Sequence, residues 1–256
     1  LDKRRILILA GTTEARQLAE RLCLRDDFMV TLSLAGRTNN PLFQAAYTRV
    51  GGFGGVAGLV DYLRAERFDL LIDATHPFAN RISSNARLAA EQAGLSLLRL
   101  ERPAWEPEPE DRWQTVPSIQ AATGVLGEKP RRVFLAIGRQ EANAFAVLPQ
   151  HHYVVRSIEP VDPPLLVPHV DYILDRGPFP AEAEEELFKK LHIDVVVCKN
   201  SGGMATYGKI IAARRLRLDV VMIERTVHPE TRRAASVEQA LSLIDHILSP
   251  TMKRGV

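Results

Sequence analysis

Five short segments bring together the residue types that anion binding and proton transfer need. Gly11-Thr12-Thr13-Glu14 joins a glycine, which lets the chain turn tightly, to two hydroxyls and the start of a helix whose free N–H groups favour a phosphate. Threonine stands where the G-x-G-x-x-G dinucleotide fingerprint has glycine, so a tight turn with a threonine helix cap is the competing reading. Ala35-Gly36-Arg37-Thr38 offers a cation where dinucleotide folds meet the adenosine ribose. Arginine there suits the 2′-phosphate of NADP, whereas an acid suits the free hydroxyl of NAD. Gly51-Gly52-Phe53-Gly54-Gly55 holds four glycines in five residues, so a ligand or a neighbouring chain segment comes close to its backbone. Gly52, Gly54 and Ala57 fit G-x-G-x-x-A, although after the third apolar strand and not the first. Asp73-Ala74-Thr75-His76-Pro77-Phe78 sets a histidine, which exchanges protons near neutral pH, in a loop after a strand. A His-Pro turn serves structure just as readily.

The fifth segment is Lys199-Asn200-Ser201-Gly202-Gly203. From Gly203 to Lys209 the chain fits G-x-x-x-x-G-K, but Ile210 stands where Ser or Thr would hold magnesium, which argues against a P-loop ATPase. Lys199, Asn200, Ser201, Gly202 and Lys209 suit an anionic ligand such as a polycarboxylate. Metal and nucleophile chemistry find little support. His151 and His152 are adjacent on a strand, so they point to opposite faces and cannot share a metal. Neither cysteine lies in C-x-x-C, and no G-x-S-x-G elbow is present. No metal site is expected.

The elements that must position these loops alternate between short apolar strands and amphipathic helices. Strands are expected over residues 5–10, 28–34, 47–50, 70–73 and 96–100, with helices over 14–24, 56–67 and 79–93 between them. Residues 102–111 carry three prolines and four acids and read as a linker or cover loop. Strands then resume at 132–137, 153–155, 172–174, 194–198 and 219–223, with a closing helix over 237–248. Repeated strand–helix–strand units imply an α/β fold of two Rossmann-like domains with parallel sheets and a ligand cleft between them. The boundaries are 1–102 for an N-terminal NADP-binding domain and 103–256 for a C-terminal domain contributing to substrate binding. Where the closing helix packs is left open.

Composition narrows the function classes. The chain has 256 residues, 46% hydrophobic and 25% charged, with a net charge of +2. Nucleic-acid binders concentrate Lys and Arg along one element, and no such run is present, so no nucleic-acid partner is expected. The apolar run at 6–10 is too short for a membrane helix or a signal segment. Cys23 and Cys198, far apart in sequence, read as two reduced thiols, and a cytoplasmic protein without a membrane partner is expected.

Taken together and in order, the loops resemble the precorrin-6A reductase family of cobalamin biosynthesis. The likeness runs over residues 6–225. It is carried by Ile6-Leu7-Ile8-Leu9-Ala10-Gly11-Thr12-Thr13-Glu14-Ala15-Arg16, the Gly51 to Gly55 run, Asp73-Ala74-Thr75-His76-Pro77-Phe78-Ala79, Leu100-Glu101-Arg102-Pro103-Ala104-Trp105 and the Lys199 to Gly203 loop. The resemblance implies an NADPH-dependent reductase acting on a carboxylate-rich, metal-free tetrapyrrole, with hydride transfer to one carbon–carbon double bond giving precorrin-6B. The residues agree at several points. Gly11, Thr12, Thr13, Arg37, Thr38, Gly52, Gly54 and Thr75 are the expected cofactor contacts. Lys199, Asn200, Ser201, Gly202 and Lys209, joined by Arg139 and Arg156 after two strands of the second domain, are the expected partners of substrate carboxylates. His76 is the candidate proton donor. A cobalt-containing counterpart of the substrate, reduced with NADH, is the alternative within the family. A nucleotide-sensing module without turnover and a phosphotransferase using the Gly203 to Lys209 loop are alternatives of other classes. Oligomeric state is left open.

Overall fold

Residues 3–35, 46–226 and 231–249 are described by a computed structural model. β1 (Arg4–Leu9) buries Ile6, Leu7, Ile8 and Leu9 on both faces, as a strand covered by helices on two sides must. It leads into α1 (Thr13–Cys23), whose stripe of Ala15, Leu18, Ala19 and Leu22 enters the core. β2 (Phe28–Leu34), β3 (Tyr47–Val50), α2 (Val56–Ala65), β4 (Leu70–Asp73), α3 (Asn80–Ala93) and β5 (Ser96–Leu100) follow. The chain then builds a second set of elements. These are β6 (Arg112–Val116), α4 (Ile119–Leu126), β7 (Arg132–Ala136), a 3-10 helix at Ala142–Val147, β8 (His152–Ser157), β9 (Val170–Leu174), α5 (Ala181–Lys190), β10 (Val195–Lys199), α6 (Gly208–Arg215) and β11 (Asp219–Ile223). β12 (Arg232–Ala234) and α7 (Val237–Leu248) close it.

Two six-stranded sheets result, and every strand pair in both is parallel. The first has the order β12-β5-β4-β1-β2-β3, the doubly wound 3-2-1-4-5-6 arrangement, with its topological switch point between β1 and β4. The second has the order β6-β11-β10-β7-β8-β9. Counted from β7 it repeats the same winding, with its switch point between β7 and β10. Its sixth position, however, is filled by β6, which precedes β7 in the chain. The α/β expectation of two Rossmann-like parallel sheets holds.

The division of the chain differs from 1–102 and 103–256. One compact unit comprises Leu1–Arg102 with Thr226–Val256, and the other Pro103–Arg225. β12 pairs with β5, Arg232 opposite Leu98, and α7 buries Val237, Ala240 and Ile244 beside Leu18, Leu22 and Phe28. Without them the outer edge of β5 and one flank of the first core would face water. The sequence reading also passed over β6, α4 and β12. β12 has only three residues, two of them arginine, so it carries no periodicity to read.

Three helices of these units end on an exposed residue with positive φ that is not glycine: Arg67, His192 and Arg217. The next N–H reaches back five residues in each case, Phe68 to Leu63, Ile193 to Phe188 and Leu218 to Ala213, closing the left-handed helix cap that glycine favours. A side chain in that conformation costs about 1 kcal/mol, partly offset by the freedom a new glycine gives the unfolded chain. His192→Gly and Arg217→Gly are each expected to stabilise the second unit by about 0.5 kcal/mol. A thermal midpoint that does not rise would contradict the strain.

Candidate functional site

At the switch point of the first unit, Gly11 holds φ +149, a conformation that side chains disfavour, and space is open where its Cβ would stand. Thr12 caps α1, its hydroxyl accepting from the Ala15 N–H at 3.1 Å. The same hydroxyl donates to the Ala74 carbonyl at 2.9 Å, tying the loop after β1 to the loop after β4. Its proton is therefore committed to that carbonyl, where the sequence reading expected a cofactor contact. Thr13 is exposed, and the N–H groups of Thr13 and Glu14 have no acceptor among the described residues. This is a helix start with open donors, the arrangement that suits a pyrophosphate. Arg37 and Thr38 lie outside the described residues.

The loop after β4 is held from below by a buried ionic network. Asp73 is 2% exposed; one carboxylate oxygen accepts from the Thr75 N–H at 3.1 Å and its hydroxyl at 2.7 Å. The other oxygen accepts from Arg99 Nη1 at 2.6 Å, and Arg99 turns Nε and Nη2 to Glu101 at 3.0 and 3.2 Å. Burial alone would push the Arg99 guanidinium towards neutrality, but Glu101 and Asp73 outweigh it and hold the charge. Thr75 is thus a partner of Asp73, with Ser83 at 3.4 Å, and its side chain belongs to the scaffold of the loop. Above this network stands His76, half-buried beside the Phe78 ring at 5.9 Å. The Phe78 N–H donates to His76 Nδ1 at 3.3 Å, which makes Nδ1 an acceptor and places the proton of the neutral ring on Nε2. Sequence reasoning saw Asp73 and His76 but passed over Arg99 and gave Glu101 no role. The available signal was a charge inside the otherwise apolar Ser96-Leu97-Leu98-Arg99-Leu100 strand, with an acid at the end of its neighbour.

Gly52 and Gly54 lie in the turn after β3, with Gly54 at φ +80 and open space beside both. Arg49, which sequence reasoning also missed, folds over this turn. It donates to the Ser33 hydroxyl at 2.8 Å and to the Gly51 and Gly52 carbonyls at 3.0 and 3.1 Å.

In the second unit, the Lys199 to Gly203 loop and the Trp105 segment prove to be one feature. The Asn200 amide accepts from the Trp105 N–H at 2.8 Å and donates to its carbonyl at 2.9 Å, while the indole donates to the Gly203 carbonyl at 2.8 Å. Gly202, at φ +66, has no room for a Cβ because the Pro103 carbonyl lies against it. Trp105 itself joins the core with Phe134 and Phe188. The proline-rich stretch is therefore docked and not a loose linker. Two of the segments that carry the family resemblance, Leu100 to Trp105 and Lys199 to Gly203, are the two halves of this clamp.

Several expected substrate contacts are placed elsewhere. Arg156 is buried and bidentate to Glu184, with Nη2 to Oε2 at 2.7 Å, and its guanidinium lies over the rings of Phe179 and Phe134 at 3.6 and 4.9 Å. Its charge is matched inside the unit. Lys209, 4% exposed, donates to the Thr206 carbonyl and covers the Trp105 ring at 4.7 Å. Asn200 spends its amide on Trp105. Lys199 pairs with Glu141 at 2.7 Å, joining the loops after β7 and β10 across the switch point, with Ser201 beside it. Arg139, half-buried after Gly138 in the same place, has no hydrogen bond or ion pair among the described residues. It is an unmatched cation at the carboxyl edge of the sheet.

His151 lies just before β8 and not on it; it is fully buried, and burial lowers its proton affinity, whereas His152, the first residue of β8, bonds Asp171 at 2.7 Å. Among the described residues no cluster of His, Cys, Asp and Glu could hold a metal, and no helix is long and apolar enough to cross a membrane. Cys23 and Cys198 are free, and burial pushes the Cys198 thiol up to about 11.

Comparison with known proteins places this geometry. The family described as Precorrin-6x reductase CbiJ/CobK matches residues 5–245. A Precorrin-6A reductase from Sinorhizobium sp is 52% identical over 98% of this chain and 96% of its own length. A Cobalt-precorrin-6A reductase from Priestia megaterium is 30% identical over 86% of this chain and 90% of its own. The solved structure titled CobK precorrin-6A reductase superposes with a TM-score of 0.91 at 43% identity, covering 99% of this chain and 100% of that one. The chain belongs to the precorrin-6x reductase family.

Proposed function

We propose that this protein reduces one carbon–carbon double bond of precorrin-6A with NADPH, giving precorrin-6B in cobalamin biosynthesis. The observation that carries the reading is 52% identity, along nearly the whole of both chains, to a protein named Precorrin-6A reductase. The lower identity of 30% to a cobalt-precorrin-6A reductase favours the metal-free substrate over its cobalt counterpart.

The residues present fit a dinucleotide. Gly11, the open N–H groups of Thr13 and Glu14 and the exposed Thr13 hydroxyl would hold the pyrophosphate, with Gly52 and Gly54 leaving room for the adenosine half. The bound nicotinamide supplies the hydride. The protein's own work is positioning and charge complementarity. Arg139, Lys199 and Ser201 are the groups of the second unit that would meet substrate carboxylates, and Arg139 does so without first breaking a bond. His76 would deliver from Nε2 the proton that balances the hydride, held in place by the Asp73–Arg99 network beneath its loop.

Mixing the purified protein with precorrin-6A is expected to consume NADPH, seen in the nicotinamide absorbance, while the tetrapyrrole gains one hydride and one proton by mass. Absence of turnover with both NADPH and NADH would refute the enzyme reading. Turnover only with NADH and the cobalt-containing substrate would assign the other branch.

A further inference from the structure

We infer that Arg49 selects NADPH over NADH by receiving the 2′-phosphate of the cofactor. The inference rests on reading the first unit as the cofactor domain and adds to it a residue that motif reasoning did not reach. In a sheet wound 3-2-1-4-5-6 the adenosine ribose lies beyond the carboxyl end of the second strand. At that end of β2 the described residues are Ser33, Leu34 and Ala35, without the acid that would pair with a free 2′-hydroxyl. Arg49 stands directly across from Ser33 in the β2–β3 register. Its contacts with the Ser33 hydroxyl and the Gly51 and Gly52 carbonyls direct the guanidinium towards this end of the sheet.

The donor count shows what the group lacks. A guanidinium has five N–H donors, and Arg49 spends three, two from Nη1 and one from Nη2, all on neutral acceptors. Nε–H and one of the two Nη2–H groups have no acceptor among the described residues, which leaves donors on the side-on edge that grips a phosphate or carboxylate. Arg99 and Arg102, at the same end of the unit, both face carboxylates, whereas Arg49 faces none among the described residues. Its plane is also held in advance, over the rings of Phe53 at 4.0 Å and Tyr62 at 5.1 Å. A matched surface arginine needs no such fixing; an unmatched one, held flat with its fork open, is preorganised for an anion. Of the anionic groups on the two dinucleotides, only the 2′-phosphate distinguishes them.

The test is calorimetric binding of NADPH, NADH, 2′,5′-ADP and 5′-AMP to the full chain and to Arg49→Ala and Arg49→Lys. Arg49→Ala is expected to weaken NADPH and 2′,5′-ADP by about 10- to 100-fold, the range for a lost charge-assisted hydrogen-bond pair, and NADH and 5′-AMP by less than about threefold. Arg49→Lys keeps the charge without the fork and is expected to lose about tenfold on the 2′-phosphorylated ligands alone. It also covers the case in which the alanine variant does not fold. An unchanged NADPH-to-NADH ratio in the variant overturns the inference, and so does an equal loss on all four ligands, which is the result of a merely disordered glycine turn. If the unmodified chain binds neither dinucleotide, the cofactor reading itself falls and takes this with it. Preference for NADH in the unmodified chain overturns the inference while leaving that reading intact.

Discussion

Replacing Arg99 by alanine is expected to destabilise the first unit by about 3–5 kcal/mol, because the buried Asp73 carboxylate is left without its counter-ion and Glu101 loses one of its partners. Asp73 and Glu101 have side chains only 2% and 8% exposed, and Arg99 is the group that bridges them. The cost is that of uncompensated charge and exceeds what forming the triad contributes. Arg99→Lys is expected to recover only part of it, since an ammonium cannot span two carboxylates as the planar fork does. Arg99→Met combined with Asp73→Asn and Glu101→Gln should be far less damaging than Arg99→Ala alone, as the charges leave together. Hydrogen exchange is the suitable measurement, because unfolding of a chain of two units need not be a single transition. Protection should fall first in β4 and β5 and the loop between β4 and α3. Unchanged protection there would show that the triad is not what holds this edge of the sheet. Activity should fall as well, since the same carboxylate anchors Thr75, one residue before His76.

Replacing His76 by glutamine is expected to lower kcat by about 100-fold or more, the usual contribution of a positioned general acid, with the dissociation constant of NADPH nearly unchanged. Glutamine keeps a hydrogen-bond donor of similar reach but cannot transfer a proton, which separates proton delivery from orientation. A variant with kcat near that of the unmodified chain would assign the proton to solvent or to a substrate carboxylate and leave His76 a structural part of its turn. A rise in KM with kcat preserved would assign it to binding alone.

How much of this was legible before folding depended on whether a residue's neighbours were near it in sequence. The apolar runs of β1, β4, β7 and β10 announce buried parallel strands by composition alone, and the intervening helices show their stripes. That was enough for the α/β class, for two winding units and for the rule that ligands meet the carboxyl ends of strands. It placed Gly11, His76 and Arg139 in loops after strands, where the structure also has them, and Lys199 one residue beyond a strand that the structure extends to include it. It did not reveal that β12 and α7 return to the first sheet, because an open strand edge is not a property of any local segment.

The charges show the division most sharply. Sequence supplies the number and type of cations, and their position after strands suggests anions as their targets. Which cations remain unmatched is decided only when distant segments pack, since a carboxylate many residues away can neutralise any of them. Glu184 does this to Arg156, and Asp73 and Glu101 to Arg99. Trp105 and Thr206 hold Lys209 inward, while Arg139 and Arg49 are left without a carboxylate among the described residues. Local periodicity determined the fold class and the loops that carry function, because burial of apolar faces is a short-range pattern. Tertiary packing alone determined which of those loops hold available charge, because electrostatic compensation is set by distance in space.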